Sequence, residues 1–415
     1  MQAAARLLPC PRLHFFCRRS NVADPGFSAP SVPSVLFVLP ATQVGGAELR
    51  LVSMLGVLRC CRPVLLTHRA LALPSGAGVE RLAFEDFVAE ADTPYGFGPR
   101  NILRYGRAVA CAARMVKPAA LFGWMHTGTL FCLAARWLGG GRRPVLGTML
   151  GPPAAYFEAI GRTPRWHEQA VLRAVGRWPQ RVVVSSRGVA DEMVAGFGAR
   201  RERLVCIPNG IDGERVRQLA RAPCALSKQP GERWVVVLGR LSWEKGCDLA
   251  LEVLARLKDR NGVRMVLIGD GPERAALESN SVGLGLQGAV VFAGGQENPF
   301  PLLAQADVFL FPSRLEGFGN ALVEAMALGV PVVSSACPVG PREIVEHGVS
   351  GLLCPVGDAG ALAEAVARVL EDGALAARLV EGGRARAEDY GFALMCERHD
   401  ALIAGVLMGE RGHGL

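Results

Sequence analysis

The chain has 415 residues, half of them apolar, more than one hydrophobic core usually holds, so two domains are expected. Its net charge of +8 is unevenly placed: residues 1–211 carry 26 Lys and Arg against 12 Asp and Glu, while residues 212–415 carry 20 against 26, so the first half is the one expected to meet an anionic partner. No apolar run reaches bilayer length, the best candidate, Leu130–Leu138, holding Arg136; the twelve cysteines lack metal-ligand spacing, and no aromatic-interleaved basic stripe marks a nucleic-acid binder.

Residues 1–33 are rich in Pro, Ser and Arg, with Asp24 the first acid. Lacking the continuous apolar core of a secretory signal, they are expected to be a disordered extension, and the scattered cysteines fit a reducing, cytoplasmic setting. A strand is predicted at Val35–Pro40, followed by A-T-Q-V-G-G-A-E and a helix from about Ala47 to Leu58. Gly45 and Gly46 would let backbone approach a phosphate at that helix N-terminus, with Glu48 as the helix cap. Further strands are predicted at Pro63–His68, Ala119–Trp124, Pro144–Thr148 and Arg181–Ser186, with helices between them, which is the pattern of a doubly wound sheet. Arg100, Arg104, Arg107 and Arg114 fall on one helical face, suited either to solvent or to anionic lipid headgroups. His126 follows directly after a strand, at the end where open sheets bind ligands. The polar stretch 217–233, with Pro223, Pro230 and Gly231, is predicted to link two domains.

The second half opens with the strand Trp234–Leu238 and G-R-L-S-W-E-K-G. Only four residues of the chain are lysines, against 42 arginines, so Lys245 is hard to read as filler. After the strand Met265–Gly269, Gly269 and Gly271 either admit a base or ribose or simply make a tight turn. Strand Val290–Ala293 and helix Pro301–Ala306 lead to a βαβ unit: strand Val308–Pro312, a turn with Gly317 and Gly319, helix Asn320–Leu328 and strand Pro331–Ser335. Glu316 lies in that turn and Glu324 in its helix, so two carboxylates and free backbone N–H groups would meet one pocket; polyol plus phosphate is the ligand this implies. The loop C-P-V-G-P-R-E-I and helices at Ala359–Leu370, Ala374–Tyr390 and Phe392–Leu407 complete the chain.

Glu316 and Glu324, embedded in S-R-L-E-G-F-G-N-A-L-V-E-A-M-A-L-G-V-P-V-V, resemble the EX7E signature of retaining GT-B glycosyltransferases of the family 4 type, and GGAE, GRLSWEKG and GPREI resemble further anchors of that family. The resemblance runs from about Val35 to the C-terminus. It implies an α/β, GT-B architecture of two Rossmann-like domains facing an interdomain cleft: an acceptor domain at 34–216, a linker at 217–233, a donor domain at 234–391, and a C-terminal helix and tail at 392–415, the helix crossing back to the first domain. It also implies transfer, with retention, of a hexose or N-acetylhexosamine from a nucleotide-diphosphate sugar to a glycan, lipid-linked or lipopolysaccharide acceptor, without metal or cofactor. An anionic membrane surface becomes an expected peripheral contact of the basic first domain on the inner face of the membrane, and nucleic acid is not an expected partner. By the same resemblance Arg240 and Lys245 hold the diphosphate, Glu316, Phe318, Gly319 and Asn320 the sugar end, and Glu324 the ribose. Gly45 and Gly46 lie across the cleft, and His126 positions donor sugar and acceptor. Where relatives often carry another histidine this chain has G-T-M-L, which leaves the acceptor side unassigned. Three alternatives stand beside this reading: another GT-B enzyme, such as a sugar-nucleotide epimerase or a phosphorylase, a non-catalytic nucleotide-sugar binder, and a peripheral membrane-binding module.

Overall fold

Runs such as VLFVL at Val35–Leu39 and WVVV at Trp234–Val237 carry apolar residues at every position, which suits strands covered on both faces by helices. In the computed structural model, which describes residues 32–410 apart from 43–44, 72–78, 89–97, 140, 225 and 258–261, such runs form two parallel sheets. The expected extension at 1–33 falls almost wholly outside the described residues. The first sheet has seven strands: β1 Ser34–Leu39, β2 Arg62–Thr67, β3 Glu80–Ala83, β4 Ala120–Gly123, β5 Val145–Met149, β6 Arg181–Val184 and β7 Leu204–Cys206, in the order β3-β2-β1-β4-β5-β6-β7. The second has six: β8 Arg233–Leu238, β9 Val263–Ile268, β10 Val290–Gly294, β11 Val308–Phe311, β12 Val332–Ser335 and β13 Leu352–Cys354, in the order β10-β9-β8-β11-β12-β13.

Both orders reverse direction once, between β1 and β4 in the first sheet and between β8 and β11 in the second. At such a switch point the loops leaving the two strands diverge and open a crevice. The segments following these four strands hold Gly45 and Gly46, His126, Arg240 and Lys245, and the stretch Glu316–Asn320. The topology thus sends these four loops to a ligand-binding position, while the Gly269–Gly271 turn and the GPREI loop follow β9 and β12 beside it.

The helix Asn320–Leu328 has the expected limits, because Gly319 and Gly329, both at positive φ, bound it. Edge strands β3 and β13 were not expected; E-R-L-A and L-L-C are short and lack an extended apolar run. The predicted linker begins late, since Asp212 caps a helix Gly213–Leu219 by accepting from the Arg215 N–H at 3.0 Å. Helix Phe392–Leu407 packs Met395, Cys396, Ile403 and Val406 into the first-domain core beside Val35, Phe37 and Phe122. Each such side chain, fully buried, contributes on the order of 2 kcal/mol. Where the chain crosses back, Ile211 N donates to Tyr390 O at 2.8 Å and Phe392 N to Ile211 O at 3.0 Å, so the two passages between the domains run side by side.

Candidate active site

The second domain builds one wall of the cleft from the loops after β8 and β11. After β8 the chain turns through Gly239 and Arg240 into a short 3-10 turn, Trp243–Lys245, and Gly246 must take a positive φ there. A Cβ on Gly246 would lie 2.2 Å from Pro312 O, so only glycine lets this loop press against the end of β11. The close approach delivers Lys245 Nζ to 2.5 Å from Glu316 Oε1. Ser313 Oγ donates to the same carboxylate oxygen at 2.9 Å, and the Lys245 ammonium also lies 5.9 Å from the centre of the Phe311 ring. Arg314 locks the two loops together. Its guanidinium grips Asp248 through two bonds of 2.7 Å and donates to Trp243 O at 3.0 Å, while its own N–H donates to Glu244 O at 2.9 Å. Burial alone would raise the Asp248 carboxyl, yet the Arg314 bonds hold it below the usual range. Arg240 is exposed at the mouth of this turn, and a Cβ on neighbouring Gly239 would touch the Lys245 stem at 3.7 Å.

Glu324 stands one helical turn into Asn320–Leu328. Burial pushes its carboxyl up to about 7, against the pull of the Arg50 guanidinium. Gly319 and Asn320 sit at this helix N-terminus, where free N–H groups face the cleft. Phe318 offers its backbone at this turn. Its ring is buried against Tyr390, with centroids 5.3 Å apart, so only its backbone can meet a sugar. Gly269 and Gly271 are spaced for structure, since a Cβ on them would meet Gly239 O at 1.9 Å and Leu241 O at 2.3 Å. Both glycines are therefore required by the close packing of this turn on the loop after β8.

The first domain closes the other side. Gly45 N donates to Glu48 Oε2 at 2.9 Å, so Glu48 caps its helix and points away from ligand duty. Gly46 lies against the second domain, a Cβ there falling 3.6 Å from Asn320 Nδ2. His126 occupies the first turn of the helix Met125–Trp137, and burial lowers its imidazole to about 4, so it is neutral near pH 7. Met125 before it takes a positive φ, held by a 2.6 Å bond from its N–H to Thr148 Oγ1. Such backbone strain in a non-glycine residue persists where surrounding contacts fix it, and it fixes the direction in which His126 leaves the strand.

The domains touch around the Glu316 turn. Ser185 Oγ donates to Gly317 O at 2.9 Å, Asn209 Nδ2 donates to Asn320 Oδ1 at 3.0 Å, and a Cβ on Gly317 would lie 2.2 Å from Leu150 O. Glu343 of the GPREI loop accepts from Arg187 N and Gly188 N at 2.9 and 2.8 Å, capping a first-domain helix. The structure therefore brings Lys245 and Glu316 into contact, ranges Arg240 and Glu324 on the same wall, and sets Gly46 and His126 at the facing switch point. Arg50, Ser313, Arg314 and Glu343 were not singled out from the sequence. Ser313, Arg314 and Glu343 fall inside stretches that were, S-R-L-E and G-P-R-E-I, and Arg50 does not.

The four-arginine face of the helix Pro99–Val116 turns outward, with Arg100, Arg107 and Arg114 exposed and Tyr105, Ala108 and Val109 buried beneath. No helix among the described residues is long and apolar enough to cross a membrane, and none of their His, Cys, Asp and Glu side chains gather in a group of three or more that could hold a metal ion.

Comparison with known proteins agrees with this architecture. Residues 63–215 match the model of Glycosyltransferase Family 4, and residues 223–386 that of Glycosyl transferases group 1. The lipopolysaccharide core biosynthesis glycosyltransferase LpsE of Rhizobium meliloti (strain 1021) is 37% identical over 203 residues, 49% of this chain and 57% of that protein. An N-acetylgalactosaminyltransferase of Campylobacter jejuni, named for a diphospho-undecaprenol substrate, is 27% identical over 209 residues, 50% of this chain and 56% of that protein. The chain thus spans a little over half the length of these curated relatives. Among solved structures, Anabaena Alr3699/HepE in complex with UDP and glucose superposes with a TM-score of 0.72 over 90% of this chain and 100% of that one, at 22% identity, which establishes the shared fold.

Proposed function

We propose, for a chain that belongs to the GT-B glycosyltransferases and is built of a family 4 domain followed by a group 1 domain, that it moves a hexose or N-acetylhexosamine from a nucleotide-diphosphate sugar to a glycan or lipid-linked acceptor with retention. The observation that carries this reading is the contact of Lys245 with Glu316, beside Arg240 and on the wall that also holds Glu324. One carboxylate held by a lysine, next to a second cation and a helix N-terminus, suits a ligand with hydroxyls at one end and phosphates beside them.

In this reading Glu324 accepts the ribose hydroxyls, Arg240 and Lys245 face the diphosphate, and Glu316 with the N–H groups around Gly319 and Asn320 holds the sugar. The bond from the anomeric carbon to the β-phosphate oxygen breaks while the acceptor hydroxyl bonds to the same face of the sugar. The hydroxyl proton passes to the departing phosphate oxygen, leaving a nucleoside diphosphate and the lengthened acceptor. Glu316 is already bound to Lys245 and Ser313, which suits a binder of hydroxyls better than an attacking nucleophile. His126, neutral at the facing switch point, can donate or accept one hydrogen bond at the reacting sugar. The two cations supply what a metal ion supplies elsewhere, so the transfer is proposed to need none. The names of LpsE and the Campylobacter transferase favour a lipid-linked or lipopolysaccharide acceptor. The outward arginines of the helix Pro99–Val116 would then rest on anionic headgroups of the membrane bearing it.

A thermal-shift panel of UDP, GDP, ADP and their common sugars tests the donor class, because a ligand that binds only the folded chain raises its melting temperature. Stabilisation by one nucleotide family is expected; none by any would overturn the reading. Product analysis by NMR with the stabilising donor then separates transfer with retention from epimerisation or phosphorolysis, and an absence of any product would leave a nucleotide-sugar binder.

A further inference from the structure

Arg50 lies on the helix Gly46–Leu55, four residues after Gly46, and Glu324 lies on the helix Asn320–Leu328, four residues after Asn320. Four residues are about one helical turn, so each charged group stands directly behind the first residue of its helix, on the same face. Those first residues meet across the cleft, a Cβ on Gly46 falling 3.6 Å from Asn320 Nδ2, and Asn320 is held there by Asn209 at 3.0 Å. One turn deeper, Arg50 of the first domain and Glu324 of the second therefore face each other. Among the described residues neither has a direct hydrogen-bond or ion-pair partner, and each of the two opposite charges acts on the other.

We propose that Arg50 is a positioning residue of the nucleotide site: from the first domain it holds Glu324 as the carboxylate that accepts the ribose hydroxyls. The inference rests on the assignment of Glu324 to the ribose. Its consequence is that the ribose grip belongs to both domains and depends on their being closed on one another.

The electrostatics point the same way. Burial lowers the Arg50 guanidinium to about 10 and raises the Glu324 carboxyl to about 7, and each acts on the other in favour of its charged form. The other charges nearby are engaged or turned elsewhere. Glu48, beside Arg50, is bound to the Gly45 N–H, and His399 behind Arg50 is lowered to about 4 and hence neutral near pH 7. On the elements packed against the Glu324 helix, Arg217 lies beside Gly213, while Arg384 lies against Gly329 at the far end. Arg386 is bound to Ile344 O and Asp389, and Glu343 to Arg187 N and Gly188 N. Lys245 is paired with Glu316. Arg50 is left as the charge that acts on Glu324.

The test is a calorimetric titration of the full chain with UDP, GDP and ADP from about pH 5.5 to 8.5, on wild type, Arg50→Met, Arg50→Lys and Glu324→Gln, with melting curves to establish folding. In the wild type, affinity is expected to fall as the pH drops through about 7, where Glu324 takes up a proton. Arg50→Met should move that midpoint up by about one pH unit and weaken binding at pH 7 by about fivefold, since the ionised fraction of Glu324 then falls from about a half to about a tenth. Arg50→Lys should keep the wild-type profile, and Glu324→Gln should flatten it. An unmoved midpoint in Arg50→Met, while Glu324→Gln is flat, overturns the role of Arg50 and leaves the donor reading standing. Binding of none of the three nucleotides, or a Glu324→Gln profile identical to wild type, overturns the ribose assignment and the role of Arg50 with it.

Discussion

Lys245 Nζ lies 2.5 Å from Glu316 Oε1, and that contact bonds the loop after β8 to the loop after β11. Both loops leave the switch point of the second sheet, so one ion pair spans the crevice in which the sugar diphosphate is proposed to lie. Glu316 is nearly buried, 8% exposed, and without Lys245 its charge would keep only the Ser313 hydroxyl as a side-chain donor. Lys245→Ala should therefore fold, lose about a hundred- to a thousandfold in kcat as one preorganised cation is removed, and bind the nucleoside diphosphate more weakly. Turnover close to wild type in a folded variant would remove Lys245 from the site.

Gly317→Ala probes the closure of the domains. A methyl group there would sit 2.2 Å from Leu150 O, a backbone atom of the first domain that cannot swing aside as a side-chain tip can. The cleft has to open, and a displacement of about 1 Å at a reacting centre costs on the order of a hundredfold in rate. Each domain keeps its own core, so the expected outcome is a fall of that size in kcat/KM with little change in melting temperature. Unchanged kcat/KM would show that the closed arrangement is not the one that reacts.

The parts of this site legible in the sequence are those fixed by local chemistry. Asn320–Leu328 could be bounded because glycines flank an apolar helix, and Lys245 stood out in a chain of arginines. Helix Gly46–Leu55 and its Glu48 cap followed from a Gly-Gly turn with a glutamate two residues on. What stayed hidden depends on which residues from distant segments meet. Nothing in E-L-R-L announces that Arg50 will face Glu324, and nothing in P-R-E-I says that Glu343 will cap a helix of the other domain. Nor does the sequence show that the ring of Phe318, between two glycines, packs against Tyr390 in the core. Edge strands β3 and β13 escaped notice because they owe their pairing to the sheet beside them and not to an apolar run of their own.

Arg240 and Lys245 are proposed to neutralise the charge that gathers on the departing diphosphate. Turnover should then continue unchanged in excess EDTA, and adding magnesium or manganese should leave kcat where it was. Loss of activity in EDTA that a divalent ion restores would mean that the leaving group depends on a cation this reading omits.

His399 gives a prediction about stability against pH. It is almost fully buried on the helix Phe392–Leu407, its Nδ1 bound to Met395 O at 2.9 Å and its Nε2 without a partner among the described residues. Burial lowers its imidazole to about 4 from 6.5, with the bond to Met395 O opposing and the charge of Arg50 assisting. The folded chain therefore refuses a proton that the unfolded chain accepts, and stability complete above pH 6.5 is lost as the pH falls towards 4. At pH 5 the loss is about 2 kcal/mol, from one and a half units at about 1.4 kcal/mol each. His126, lowered for the same reason, adds a loss of the same sign, whereas Glu324, raised to about 7, destabilises in the opposite direction as the pH rises from 4.5. His399→Phe isolates one of these contributions, since its ring can keep the contacts with Phe122 and Trp124. Urea unfolding should show the variant gaining about 2 kcal/mol on wild type between pH 8 and pH 5; a difference that stays constant across that range would mean that His399 does not titrate as a buried neutral group.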